Sequence, residues 1–457
     1  SRKVERAAAM RSAMSSSIMS PSAYRRARGL PRLAASPGSR PAAGRRLAPA
    51  MSTAEPVFRF RAIAAPAFVP TTLFTIGEGA IMPLIPALAA RLGADLATSG
   101  LVASMLVVGV LLGDIPAGSI VGRLGERTTM LGASGLAGAG VLLALAAPAP
   151  WMLGAGMLVL GFAAAVFGLA RHALLTSVVP PAFRARALST LGGTFRLGLL
   201  IGPFVAAAIV ALTGDITSVL WFALAMCAIV AVSILVLPDP ERMLHHRSTP
   251  AGSALGLAGV FRTIAARRSV LARLGAAALT VSALRSVRQV ILPLWAVSIG
   301  IGVAETALII GIASGVDFAL FWLGGWLMDR FGRLYTAVPS MLGLGLGLIG
   351  LALSAGAADP APWFVAVAIW LALANGIGAG LLMTMGSDLA GRENPAPFLS
   401  AWRFTLDVGS ASAPLVLSAI TALASITAAS AVLGVVGLVG AAMLAHHIPR
   451  QLPRDDG

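Results

Sequence analysis

Eight ionisable side chains sit inside stretches of sequence that are otherwise apolar: Glu78, Arg171, Arg196, Arg285, Arg288, Asp317, Arg403 and Asp407. A charge held in hydrocarbon costs several kcal/mol unless it is paired, hydrated or put to use, so these positions are where chemistry is expected. Carboxylates can take up and release protons, whereas guanidinium groups stay charged and grip carboxylates or other anions. Arg285 and Arg288 are three apart and Arg403 and Asp407 four apart, so each couple shares a helix face. Five arginines against three carboxylates leave positive charge in excess. That excess suits an anionic or zwitterionic ligand, a bound counter-ion, or partial neutralisation by nearby Asp114. It suits a lipophilic cation less well.

Other chemistries find no support. His172, beside Arg171, has a side-chain type that titrates near neutral pH, but neighbouring helix positions diverge by about 100°. His245, His246, His446 and His447 lie in or beside polar connectors without cysteine or carboxylate partners at metal-ligand spacing, so no metal site is expected. Cys227 lies within an apolar run and reads as packing. There is no phosphate-binding glycine loop with lysine and no nucleophile-base couple. An ATPase, a hydrolase or any other enzyme is therefore not expected, nor is a cofactor.

The elements that must hold these charges are helices in a bilayer. The chain of 457 residues is 57% hydrophobic and 11% charged, with a mean hydropathy of +0.88, beyond the range of water-soluble domains. Apolar runs long enough to cross a hydrocarbon core fall near 63–89, 98–121, 128–148, 152–177, 187–212 and 216–237. After a polar stretch they resume near 274–299, 304–327, 335–355, 362–386, 398–420 and 424–446. These are spans 1 to 12. The expected organisation is a basic, disordered tail over 1–58, a six-helix bundle over 59–237, a cytoplasmic connector over 238–270, a second bundle over 271–446 and a cytoplasmic tail over 447–457. The tail fits an organellar transit peptide, but the preferred reading is sequence upstream of a bacterial start at Met51.

The net charge of +16 is a topology signal and does not point to nucleic acid. One side of the membrane collects Arg59, Arg61, Arg123, Arg127, Arg184, Arg186, the central connector, Arg330, Arg333, Arg392, Arg450 and Arg454. The other holds Arg91 among Asp95, Asp215, Glu305 and Asp359. By the positive-inside rule both termini are cytoplasmic. A bacterial inner membrane is the expected location, with an organelle inner membrane if the tail is a transit peptide.

The two sets of six align. Ile81-Met82-Pro83-Leu84 matches Ile291-Leu292-Pro293-Leu294, Gly118 to Gly125 matches Gly325 to Gly332, and Gly198 with Pro203 matches Gly409 with Pro414. Under these offsets Glu78 corresponds to Arg288 and Arg196 to Asp407, so equivalent sites carry opposite charge. If spans 1 and 5 are neighbours, Glu78 is expected to face Arg196, and Arg288 to face Asp407. Each pair would lie within about 4 Å, either to orient helices or to couple proton uptake to opening of a cavity.

Gly325-Trp326-Leu327-Met328-Asp329-Arg330-Phe331-Gly332-Arg333 resembles the cytoplasmic loop signature of the major facilitator superfamily, Gly-x-x-x-Asp-Arg-x-Gly-Arg. Its counterpart, Gly118 to Arg127, keeps Gly118, Arg123, Gly125 and Arg127 but has Gly122 where the family has an acid. Asp114, one turn earlier, has two readings: it supplies the missing carboxylate by another route, or it is a helix-end acid. Gly198-Leu199-Leu200-Ile201-Gly202-Pro203 resembles the fifth-span element of that superfamily's drug/proton antiporters, although small residues at this spacing also let any two membrane helices approach closely. The resemblance covers 60–446. It implies an all-α fold of twelve transmembrane helices in two pseudo-symmetric six-helix bundles, with a monomer as the expected state in the membrane. It also implies alternating-access transport, with proton-coupled export of a small organic molecule or drug as the first expectation. Proton-coupled uptake of an organic anion or zwitterion, and a transporter-like sensor or scaffold, remain alternatives.

Overall fold

The computed structural model describes residues 60–238, 257–390 and 395–451. The expectations for 1–58, for 239–256 and for the tail beyond Gln451 lie outside the described residues. Within them every regular element is helical, and twelve helices are long and apolar enough to cross a membrane. The chain is an integral multi-pass membrane protein. The spans run Ala65–Arg91, Leu96–Leu124, Glu126–Leu145, Pro150–Val178, Arg186–Thr213 and Thr217–Val236. The second six are Arg268–Ser298, Val303–Phe331, Leu334–Gly356, Pro360–Leu389, Pro397–Leu423 and Ile426–Gln451.

Local chemistry sets the ends of these helices. The Asp95 carboxylate accepts from the Thr98 amide at 2.7 Å and starts span 2. Thr217 hydroxyl and amide groups and Arg91 hold the Asp215 carboxyl down at about 2, and Arg91 reaches it at 2.5 Å to tie the end of span 1 to the loop before span 6. Gly125 and Gly332, equivalent in the repeat, both have positive φ (78° and 92°), a backbone state that L side chains rarely adopt. That explains why both loop motifs keep this glycine.

The two halves pack alike. Spans 2, 3, 1, 1 and 3 of the first half lie against 4, 4, 5, 6 and 6, and the equivalent spans of the second half repeat each pairing. Without a hydrophobic drive between helices in lipid, small residues set these contacts. An added Cβ at Gly140 would lie 2.8 Å from the Gly156 carbonyl oxygen, and one at Gly345 would lie 2.8 Å from that of Gly434. One at Gly113 would lie 2.6 Å from the Phe162 carbonyl oxygen. Large apolar side chains such as Trp151, Trp221, Trp322 and Trp363 cover the outside.

Three details depart from the sequence reading. Met82–Leu84 forms a 3₁₀ turn in span 1, whereas its counterpart around Pro293 stays within a continuous helix, so the repeat is not conformationally exact. Span 7 begins at Arg268, inside the stretch assigned to the connector. The connector also contributes a helix, Leu257–Ala266, whose Phe261 packs edge-on against Phe404 of span 11 with ring centroids 5.8 Å apart. Span 10 is broken: helix Pro360–Ile377 gives way to helix Leu381–Leu389 across Gly378, Ala379 and Gly380, the last with φ of 80°.

The halves meet through spans 5 and 8 and through spans 2 and 11. Near the arginine-poor end, an added Cβ at Gly100 of span 2 would lie 2.8 Å from Ser418 Oγ of span 11 and 3.1 Å from Leu294 of span 7. Gly311 of span 8 receives the Phe204 ring of span 5 at 3.2 Å on the same terms.

Candidate transport site

The second half holds the densest polar group. Arg288 of span 7 donates to Asp317 Oδ2 of span 8 at 3.2 Å, and Asn375 Nδ2 of span 10 donates to the same oxygen at 2.7 Å. Both ion-pair partners are well shielded, with 11% and 14% of their side chains exposed, so the attraction is little screened by solvent. Arg285, one turn before Arg288, donates through Nη2 to the Gly378 carbonyl at 2.5 Å. That carbonyl also accepts the Leu381 amide at 3.2 Å in the turn that breaks span 10, and the end of helix Pro360–Ile377 is the negative end of its dipole. Irregular backbone at this depth is tolerated where protein groups take up its polar atoms.

Arg196 reaches this group from the first half. Its guanidinium carbon lies 4.4 Å above the Phe321 ring centroid, and it feels the charges of Asp317 and Arg288. The expected Glu78–Arg196 pair is therefore not formed. Glu78 is instead coupled to Arg171 of span 4, whose guanidinium lies 4.9 Å from the Phe195 ring centroid. Nor does Arg288 meet Asp407, since it is committed to Asp317.

Helix geometry explains both corrections. Gly198 and Gly202 are the face of span 5 that presses on span 1: an added Cβ at Gly202 would lie 2.5 Å from the Gly79 carbonyl carbon, and Gly198 abuts Thr75. Arg196 is two residues from Gly198, about 200° around the helix, and so points away from span 1. It begins a stripe, with Leu200 and Phe204, that faces Phe321, Gly315 and Gly311 of span 8. Likewise Gly409 packs on span 7, where an added Cβ would lie 2.6 Å from the Leu279 carbonyl oxygen, and this turns Asp407 away from span 7. Spans 1 and 5 are neighbours as expected, but through their glycines.

Asp407 belongs to another group. Arg403 Nη2 donates to Asp114 Oδ1 of span 2 at 3.3 Å, and Arg403 Nε lies 3.7 Å from Asp407 Oδ2. The Asp114 and Asp407 carboxyls also face each other within hydrogen-bonding reach. Two carboxyls and one arginine thus join the two halves. Asp114 is neither a helix-end acid nor part of the loop latch. His172 turns its Nδ1 to the Gly168 carbonyl of its own helix at 2.9 Å.

The loop motifs act by anchoring helices. Arg333 binds Asp388 at the end of span 10, Nε to Oδ2 at 2.9 Å, and Arg330 lies 5.9 Å from the Phe331 ring centroid. In the first half Arg127 donates to the terminal carbonyls of span 6, reaching that of Ile234 at 2.6 Å. Gly122, at the position of the family's acid, has open space around it. Gly118 and Arg123 lie in the last turns of span 2, and Gly325 and Asp329 in those of span 8, so the motifs are helix ends more than loops. The sequence reading missed Asn375, Phe321, Phe195 and Asp388. Only Asn375 carried a signal: an asparagine in an apolar run, followed by glycines at 376, 378 and 380.

Comparison with known proteins agrees with this architecture. The multidrug efflux pump Tap of Mycobacterium tuberculosis (strain ATCC 25618 / H37Rv) is 30% identical over 233 residues, 47% of this chain and 53% of that protein. The chain thus spans about half the length of the curated relatives it matches. The inward open conformation of the xylose transporter XylE from E. coli superposes with a TM-score of 0.64 at 13% identity, covering 87% of this chain and 97% of that one. The human organic anion transporter MFSD10 (TETRAN) gives 0.59 at 18% identity, covering 84% and 99%. At such identities these two share the fold alone. A family model described as Major Facilitator Superfamily matches residues 67–411, and with the twelve spans and the repeated packing it follows that the chain belongs to the major facilitator superfamily of membrane transporters.

Proposed function

We propose that the protein is a proton-coupled exporter of a small organic molecule, working by alternating access in a bacterial inner membrane with its arginine-rich side in the cytoplasm. The observation that carries this reading is the Asp114, Arg403, Asp407 group between spans 2 and 11. Two carboxylates facing one guanidinium leave a single negative charge in excess, and one proton removes it. The two carboxyls therefore share that proton as a unit, with Arg403 as their fixed positive charge. A proton held by this carboxyl pair weakens its hold on Arg403 and so loosens the contact between the halves. Rocking of the halves separates or joins the same three side chains, so proton binding and conformation are linked. Glu78 with Arg171, inside the first half, is a second proton-binding candidate.

Export as the direction draws on the likeness to a multidrug efflux pump and on the Gly198, Gly202, Pro203 element. Its test is transport by the purified chain in proteoliposomes with an imposed pH gradient and a pH dye in the lumen. Substrate-driven proton movement opposite to the substrate supports antiport. Movement in the same direction makes the protein a symporter, and absence of flux for every compound of a broad panel removes the transport reading. Reporter fusions after Asp359 and after Arg454 should lie on opposite sides, the latter cytoplasmic.

A further inference from the structure

The arginines around Asp317 outnumber what the protein gives them. Arg196, Arg285 and Arg288 all lie within the field of this one carboxylate and repel one another. Only Arg288 is ion-paired with it. Arg285 has a neutral carbonyl as partner and Arg196 an aromatic ring. Around the same point Arg285 Nε, Arg288 Nε, Asp317 Oδ1 and Asn375 Oδ1 are buried without a hydrogen-bond partner among the described residues. Unsatisfied buried donors and uncompensated cations are both costly, and a single anionic group would satisfy the two Nε donors and balance the excess positive charge, while the Asp317 and Asn375 oxygens call for a donor.

We propose that this group is an anion-binding subsite: the transported molecule carries a carboxylate, phosphonate or similar anionic group that docks between Arg196 and Arg285, with its apolar body against Phe321. The guanidinium donors suit such an oxyanion. Asp317 holds Arg288 and sets the register, and Asn375 anchors Asp317. The subsite takes Arg196 from the first half and the rest from the second, so an anion bound there contacts both halves, as a cargo that biases alternating access must. The proposal rests on the transporter reading but not on proton coupling, which was placed at Asp114 and Asp407.

The test is ligand binding to the purified full chain, read as thermal stabilisation. The probes are benzoate and phenylphosphonate, with benzamide as neutral analogue, tetraphenylphosphonium as lipophilic cation and inorganic phosphate as a bare anion. At about 10 mM, benzoate or phenylphosphonate should stabilise, and benzamide and tetraphenylphosphonium should not. The stabilisation should vanish in Arg196→Gln and Arg285→Gln and persist in Arg91→Gln, whose arginine belongs to the exposed bridge with Asp215. Asp317→Asn, which removes the one competing negative charge, should bind benzoate about tenfold more tightly. Equal stabilisation by benzamide or a larger effect of tetraphenylphosphonium overturns the proposal. So does no effect of either organic anion, or weaker benzoate binding in Asp317→Asn. Stabilisation by inorganic phosphate alone overturns the organic cargo. Binding of benzoate with no proton-linked flux would leave the subsite standing and defeat the coupling reading, whereas proton-linked flux of tetraphenylphosphonium without benzoate binding would do the reverse.

Discussion

Gly202→Ala tests whether the span 5 glycines act by close approach. The added methyl carbon would sit 2.5 Å from the Gly79 carbonyl carbon and 2.6 Å from the Ala80 nitrogen, both backbone atoms that cannot rotate aside. Reaching an ordinary separation of about 3.5 Å requires spans 1 and 5 to part by roughly 1 Å. Overpacking of this kind costs about 1–3 kcal/mol. The displacement has a direction: moved off span 1, span 5 carries Leu200 and Phe204 towards span 8, where the Phe204 ring already stands 3.2 Å from the Cβ position of Gly311. The variant should therefore lose thermal stability and also shift the transport rate, because the contact between halves changes. Gly132→Ala on span 3 is the control. Its Cβ meets nothing within 4 Å, and alanine there should be neutral or stabilising by about 0.5–1 kcal/mol. Melting curves of the two purified variants decide the matter. If Gly202→Ala melts within about 1 °C of the parent, the close-packing argument fails.

Asp114→Asn and Asp407→Asn should each lower pH-driven transport by about tenfold or more. The double variant should be little worse than either, because residues acting as one unit are not additive; full coupling in both single variants would remove the group from the mechanism. The Arg333–Asp388 pair is partly exposed, 35% and 28%, so a double-mutant cycle with Arg333→Gln and Asp388→Asn should return no more than about 1 kcal/mol of coupling in stability. A larger value would mark the loop as a true latch. The lowered pKa of Asp215, about 2, means its interactions contribute stability above the unfolded carboxylate pKa and lose it as pH falls through about 2. Carboxyl NMR of the chain should show that low midpoint, rising towards the ordinary range in Thr217→Val; an unchanged midpoint would contradict the hydrogen-bond assignment.

Sequence alone determined the membrane class, the twelve spans, the two-fold repeat and which charged side chains lie within the spans. These features are local and one-dimensional: a run of apolar residues must cross a bilayer, a charge within it is expensive wherever it points, and Gly125 and Gly332 mark turns that need positive φ. Sequence did not determine which charges meet. The repeat mapped Glu78 to Arg288 and Arg196 to Asp407 as positions, but partnership depends on azimuth around each helix. Azimuth is fixed by which face packs against which neighbour. The glycines of spans 5 and 11 turn inward within each half and thereby send Arg196 to span 8 and Asp407 to span 2. Only the tertiary structure decided that, and with it the division of eight dispersed charges into an arginine-rich centre around Asp317, a Glu78–Arg171 couple, and a carboxylate joint between the halves.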